Sequence, residues 1–305
     1  MALPEPESVS FPGARRPDRA RSVDSDGLRL AVYEWGRPGD PAVLLNHGGF
    51  DFAGTFDGLA ARLADAGWRV IAYDQRGHGD SEHAALYSWP ADLRDLKAVL
   101  DSIGQAPIPA VGHSKGGSQL TELIHALPHR ISRFVNIDGL PSDRIHPDVA
   151  EHERAKQLDE VLGSWLDWRR RTHDAVRKPG TLEELAERRA RMNPRLSHEW
   201  LRYLVTIGAR RDPDGWRWKI DASLRFGGFG PFRPSWSADR ARGLPVPLLG
   251  IIGTEHEEMG WGATPESLRR NLPPGARLEV IEDTGHFVHI EQPDRAAELV
   301  LEFIS

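Results

Sequence analysis

The chain has 305 residues, enough for one large domain or for a core carrying an inserted second unit. It is 39% hydrophobic and 28% charged, and a net charge of −6 with a pI near 6.1 excludes a global attraction to nucleic acid or to an anionic membrane. It holds no cysteine, which excludes disulfides and thiolate metal sites and agrees with a cytoplasmic protein.

Residues 1–24 contain four prolines and no apolar run of the signal-peptide kind, so an N-terminal extension lying on the surface is expected. No stretch approaches the roughly 18 apolar residues that span a bilayer. From residue 28 short β-rich runs alternate with helical stretches. "LRLAVYEWG" (28–36) alternates like a half-buried strand, and "AVLLNHGG" (42–49) is a buried strand running into a loop. A helical spacing over 56–66 stops at Gly67, and "WRVIAYDQRGHG" (68–79) is again a strand into a Gly-rich loop. A helix over 90–100, a strand over 108–114, a helix over 115–127 closed by Pro128 and a strand over 131–139 follow. After an interruption, 246–253, 265–272, 277–283 and 294–304 resume strand, helix, strand, helix.

This rhythm predicts an α/β fold, a mostly parallel central sheet with helices on both faces. Residues 141–240 break it. They read as helical, hold six of the ten tryptophans and are expected to form an inserted cap over the carboxyl ends of the strands, with 25–140 and 241–305 as the core. Between 151 and 211, fourteen Lys/Arg stand against ten Asp/Glu, which describes a solvated helical surface and not a nucleic-acid interface.

"PAVGHSKGGSQL" (109–120) places Gly112-x-Ser114-x-Gly116 between a strand and a helix, where a serine nucleophile would sit on a strained turn. Gly112 and Gly116 remove bulk on either side of Ser114, and Gly117 lets the helix approach the sheet. Serine needs a base. Of thirteen histidines, His286 in "DTGHFVHIEQPD" follows the last strand and precedes the last helix, whereas His289 falls inside that helix and is expected to pack. The backbone N–H of Lys115 at the helix N-terminus, with that of Gly49 or Phe50 in "NHGGF" (46–50), would form an oxyanion hole. His47, Asp74, Arg76 and His78 are expected to brace loops.

"NHGGF", "DQRGHGDS", "GHSKGG" and "TGHFVHIEQPD", in this order and spacing, resemble the α/β-hydrolase fold superfamily over 25–140 and 243–305. The resemblance implies a hydrolase without a cofactor, cleaving an ester-like bond of a small molecule through Ser114 and His286. It also implies an acid after the strand "PLLGIIG", where this chain has "GTEHEEM" and puts His256 at the aspartate's place. A histidine cannot supply the buried negative charge that orients an imidazole. Two replacements are open, Asp138 in "VNIDGLP", preferred because it ends the strand after the nucleophile helix, and Glu255. Glu257 and Glu258 are expected to be solvated.

The Lys115 side chain is expected either to bind a substrate carboxylate, to pair with an acidic neighbour or to lie in solvent. An epoxide hydrolase or dehalogenase of this family would carry a carboxylate at position 114 and, for epoxides, two cap tyrosines, whereas 141–240 holds only Tyr203. A carbon–carbon bond hydrolase, lactonase or perhydrolase shares the same triad, and a silent ligand-binding member is a further alternative. "GTEHEEM" matches no helix-borne metal motif, so no metal is expected. Trp165, Trp168, Trp200, Trp216, Trp218 and Trp236, with Phe226, Phe229 and Phe232, suggest an apolar or aromatic substrate moiety or else plain packing. Gly227, Gly228 and Gly230 suggest a hinge.

Overall fold

A computed structural model describes residues 10–141, 150–225, 234–257 and 263–305. Phe226, Phe229, Phe232, Gly227, Gly228, Gly230 and Glu258 lie outside the described residues.

Ten strands and ten α-helices are described. Eight of the strands form one sheet: β1 (Arg19–Ser25), β2 (Leu28–Trp35), β3 (Ala42–Asn46), β4 (Arg69–Tyr73), β5 (Ile108–His113), β6 (Ile131–Ile137), β9 (Leu248–Gly253) and β10 (Arg277–Ile281). Their spatial order is β1-β2-β4-β3-β5-β6-β9-β10, antiparallel where β2 meets β1 and β4, and parallel from β4 to β10. The strands are apolar on both sides because both faces are covered. Val43, Leu45, Val111, Val135 and Ile251 face α1 (Asp57–Asp65) and α10 (Pro293–Ile304). Leu44, Ala110, Phe134 and Leu248 face α2 (Trp89–Ile103) and α3 (Lys115–Ala126).

The last residues of the stretch expected as an N-terminal extension, 1–24, belong to the sheet. Arg19–Ser25 is an edge strand paired residue by residue with β2, Arg19 opposite Glu34 and Ser25 opposite Leu28. Its sequence, RARSVDS, hides this because an edge strand keeps one side in water and needs little apolar patterning.

Although β6 and β9 are neighbours in the sheet, the chain between them runs through a helical insert. It comprises α4 (Glu151–Arg171), α5 (Leu182–Met192), α6 (His198–Gly208), a hairpin of β7 (Ala209–Asp212) and β8 (Gly215–Trp218), and α7 (Pro234–Arg242). A capping box of Thr181 and Glu184 starts α5. Leu185, Trp200, Leu201 and Leu204 pack with Phe52 and Phe287 of the core, so α5 and α6 sit on the loops after β3 and β10. Among the tryptophans, Trp200 is buried and Trp236 is exposed. Trp168 donates its Nε1–H to the Ser223 carbonyl at 2.9 Å.

Candidate active site

Ser114 is the single residue between β5 and α3, and its backbone takes φ 50°, ψ −121°. That conformation is uncommon for a residue with a Cβ and is sustained by its surroundings. The Ser114 N–H donates to the Ile137 carbonyl at 3.0 Å, and its own carbonyl accepts from Gly117 N–H at 2.9 Å. A Cβ at Gly116 would lie 2.1 Å from the Asn46 carbonyl oxygen, so the turn, α3 and the end of β3 meet as backbone on backbone. The same loop after β3 reaches the serine, since a Cβ at Gly48 would stand 3.3 Å from Ser114 Cβ.

Strand register brings the acid to this edge. His113 pairs with Ile137, which pairs with Ile251, so the residues following β5, β6 and β9 emerge side by side. Asp138 directly follows β6, has φ 42°, and donates its N–H to the Ile251 carbonyl at 2.9 Å. Its Oδ2 lies 2.5 Å from Nδ1 of His286, a residue of the loop between β10 and α9 (Val288–Glu291). His286 is 4% exposed in its side chain and Asp138 16%. His113, the residue before Ser114, donates from Nε2 to the His286 carbonyl at 3.1 Å, with the two rings 4.7 Å apart. Ser114 is the chain neighbour of His113, which touches His286, and a Cβ at Gly139, the residue after Asp138, would lie 2.3 Å from the Ser114 carbonyl oxygen, so the three residues share one edge of the sheet.

Glu255 stands apart from it. Its side chain is exposed and accepts from the Thr254 hydroxyl at 3.2 Å, and its N–H goes to the Thr284 carbonyl. His256 is exposed as well. Glu257, expected in solvent, is 6% exposed, and its Oε2 accepts the His286 backbone N–H at 2.6 Å. Burial returns at Glu257, which a run of five polar residues, Thr254 to Glu258, does not announce.

The loop 46–50 is held by two buried histidines. His47 donates from Nδ1 to the Gly48 carbonyl at 2.7 Å and accepts the Gln75 N–H on Nε2 at 2.9 Å. Burial pushes its pKa down to about 3, so it is a neutral brace. His78 donates from Nδ1 to the Arg76 carbonyl and accepts the Phe50 N–H on Nε2 at 3.2 Å. Phe50 takes φ 57°, and its carbonyl accepts from Arg189 of α5 at 3.0 Å. Both ends of Phe50 are thus gripped by side chains. Nearby, Arg76 binds Asp95 with two bonds of 2.6 and 2.7 Å, and Asp74 caps the Ala53 and Asp80 N–H groups at 2.8 Å each.

Lys115 points its ammonium at Asp92, 2.8 Å away. Of the uses open to this side chain in the sequence, the acidic partner is the one realised. Tyr203 gives its hydroxyl to Asp57, which also holds Arg16 at 2.8 Å.

Sequence reasoning missed Arg189 and Asp51. Asp51 is 1% exposed, lies 3.5 Å from Arg189 and is pushed up to about 6 by burial, against the pull of Arg189 and His286. Arg189 is one of three arginines in its helix, and only its contacts single it out. A broad depression of ≈ 610 Å³ between α5, α6 and the β7–β8 hairpin, lined by Thr181, Leu182, Arg202, Pro213 and Trp216, contains none of the expected catalytic or oxyanion-hole residues, and of the expected aromatic residues it holds Trp216.

The sequence model of the alpha/beta hydrolase fold family matches residues 41–293. An epoxide hydrolase A of Mycobacterium tuberculosis is 28% identical, the alignment covering 93% of this chain and 97% of that protein. The lipase LipV of the same organism is 30% identical over 90% of this chain and 97% of its own. Among solved structures, a thioesterase domain from the curacin biosynthetic pathway superposes with a TM-score of 0.77 at 24% identity, covering 93% of this chain and 99% of that one. The mostly parallel eight-stranded sheet agrees with the match over residues 41–293, and the chain belongs to the alpha/beta hydrolase fold family.

Proposed function

We propose that this protein is a serine hydrolase that cleaves an ester-like bond of a small, apolar or aromatic substrate through an acyl-enzyme. Ser114 Oγ attacks the carbonyl carbon while Nε2 of His286 takes its proton. Asp138 holds the Nδ1–H and stabilises the imidazolium. The N–H groups of Lys115 and Gly49 hold the oxyanion. Of the two candidates in the loop, Gly49 is preferred because the Phe50 N–H already donates to His78. The tetrahedral species collapses, the leaving alcohol takes the proton from His286, and water, deprotonated by His286, releases the acid and restores Ser114.

The observation that carries this reading is the 2.5 Å contact of Asp138 with His286 beside a serine on a positive-φ turn. A fixed Nδ1–H leaves Nε2 as the basic nitrogen. The insert serves as a cap over the site, supported by the packing of α5 and α6 on Phe52 and Phe287 and by the reach of Arg189 to the Phe50 carbonyl. Epoxide opening, the activity named for one relative, is disfavoured because position 114 is serine and Tyr203 is committed to Asp57.

A fluorophosphonate probe and a panel of p-nitrophenyl esters, lactones and diketones test the reading. Wild type is expected to label and to turn over esters with a burst, and Ser114→Ala to do neither. Undiminished hydrolysis by Ser114→Ala overturns it.

A further inference from the structure

We infer that Glu257 is a second carboxylate serving His286, a positioning residue that fixes the imidazole-bearing loop through its backbone and stabilises the imidazolium by its charge. This inference rests on the serine-hydrolase reading above. Its first support is the contact itself: Oε2 accepts the His286 N–H at 2.6 Å, from a side chain 6% exposed. A Cβ at Gly285 would fall 2.3 Å from that oxygen, so the loop comes this close only because residue 285 is glycine.

The second support is the idle oxygen. Oε1 is buried and has no hydrogen-bond partner among the described residues. A neutral acceptor would satisfy one backbone N–H at lower desolvation cost, so a full carboxylate with one oxygen unused calls for a role for its charge. Among the described residues no guanidinium is paired with it: Arg195, whose Cδ passes close to Gly285, binds Glu291 and Asp283, and Arg189 binds the Phe50 carbonyl and Asp51. Among the described residues the other groups near His286 are Asp138 on the ring, Asp51, Glu291, which accepts the neighbouring Gly285 N–H at 3.0 Å and is paired with Arg195, and the rings of His113 and His289, both kept neutral by burial. The cation that forms beside Glu257 during turnover is the imidazolium of His286, in surroundings where charges are weakly screened.

Glu257→Gln isolates the charge, because the amide oxygen still accepts the His286 N–H. The expected result is a fall in the His286 imidazole pKa of about half a unit or more, read by NMR titration. The acid limb of kcat/KM should move to lower pH by the same amount, and kcat should drop about 3- to 10-fold with KM unchanged. A ring titration and pH profile identical to wild type would reduce Glu257 to a backbone acceptor and overturn the inference. The ring titration needs no turnover, so it decides this point even if Ser114→Ala refutes the hydrolase reading. Should Glu257→Gln fail to fold, the wild-type carboxyl carbon of Glu257 provides the test: it must respond as His286 titrates, and a resonance blind to that event overturns the inference.

Discussion

Asp138 Oδ2 lies 2.5 Å from His286 Nδ1, 148 positions along the chain, and the carboxylate comes from the end of β6, the strand beside the one that leads to Ser114. In the proposed triad the acid therefore comes from β6, one strand earlier than the motif order leads one to look, while the tip of β9 carries an exposed glutamate and an exposed histidine.

Asp138→Asn should lower kcat by roughly three to four orders of magnitude with the fold intact, because the amide favours the wrong imidazole tautomer. Glu255→Gln should leave kcat within about twofold, as expected of an exposed carboxylate. Ester kinetics on both variants, with circular dichroism as the folding control, decide the matter; the opposite ranking would return the acid to β9.

Gly116→Ala forces a Cβ to within 2.1 Å of one backbone oxygen and 2.6 Å of the next, those of Asn46 and His47. Backbone cannot swing aside as a side chain does, so a stability loss of about 1–3 kcal/mol is expected, with a displaced oxyanion loop. Urea unfolding should show a lower midpoint at unchanged slope, and kcat should fall more than KM rises. An alanine variant as stable and active as wild type contradicts the close approach.

Lys115→Met should not change the preference between a neutral ester and one with a carboxylate tail, because the ammonium is committed to Asp92 at 2.8 Å. The variant leaves Asp92, 7% exposed, with Gln119 at 3.1 Å and Arg76 at 3.8 Å but without its ammonium partner, and about 1–3 kcal/mol of stability should go with it. If the anionic ester alone loses tenfold in kcat/KM, Lys115 leaves Asp92 to bind substrate.

His289 is 1% exposed, both its ring nitrogens lack hydrogen-bond partners among the described residues, and burial pushes its pKa down to about 3. The unfolded chain binds a proton here below about pH 6.5, whereas the folded chain refuses it down to about 3. The stability this site supports is therefore complete above 6.5 and declines as the pH falls. His289→Leu removes the effect, so the stability difference should move in favour of the variant by about 2 kcal/mol between pH 8 and pH 5. Asp51, Asp57 and Asp74, pushed up by burial to about 6, work in the opposite direction, but they are common to both proteins and cancel. Parallel stability curves for the two proteins would show that His289 takes its proton in the folded state.

The strand-end positions of Ser114 and His286 were legible because each stands in a short motif where glycine is demanded by sterics. The contact of Asp138 with His286 was foreshadowed by an anomaly, the histidine at 256 that cannot do an aspartate's work. Strands β2 to β6, β9 and β10 announced themselves through apolar runs. What stayed hidden had no local signature. β1 is polar because it is an edge, the hairpin strands β7 and β8 have four residues each, and Glu257 looks like its exposed neighbours until its burial is seen. Arg189 acquires meaning only from a carbonyl 139 positions away.

Phe50 shows what that distant contact entails. Its N–H is held by His78, a residue that itself forms a β-bridge with Ile220 of the insert, and its carbonyl is held by Arg189 of α5. The loop that would receive the oxyanion is shaped from outside the core. The insert is therefore no interchangeable cassette: a chimera that exchanged 151–242 for the corresponding segment of a relative would inherit a mis-set loop along with the new substrate preference, and recombination between family members would succeed where the partners of residue 50 travel together.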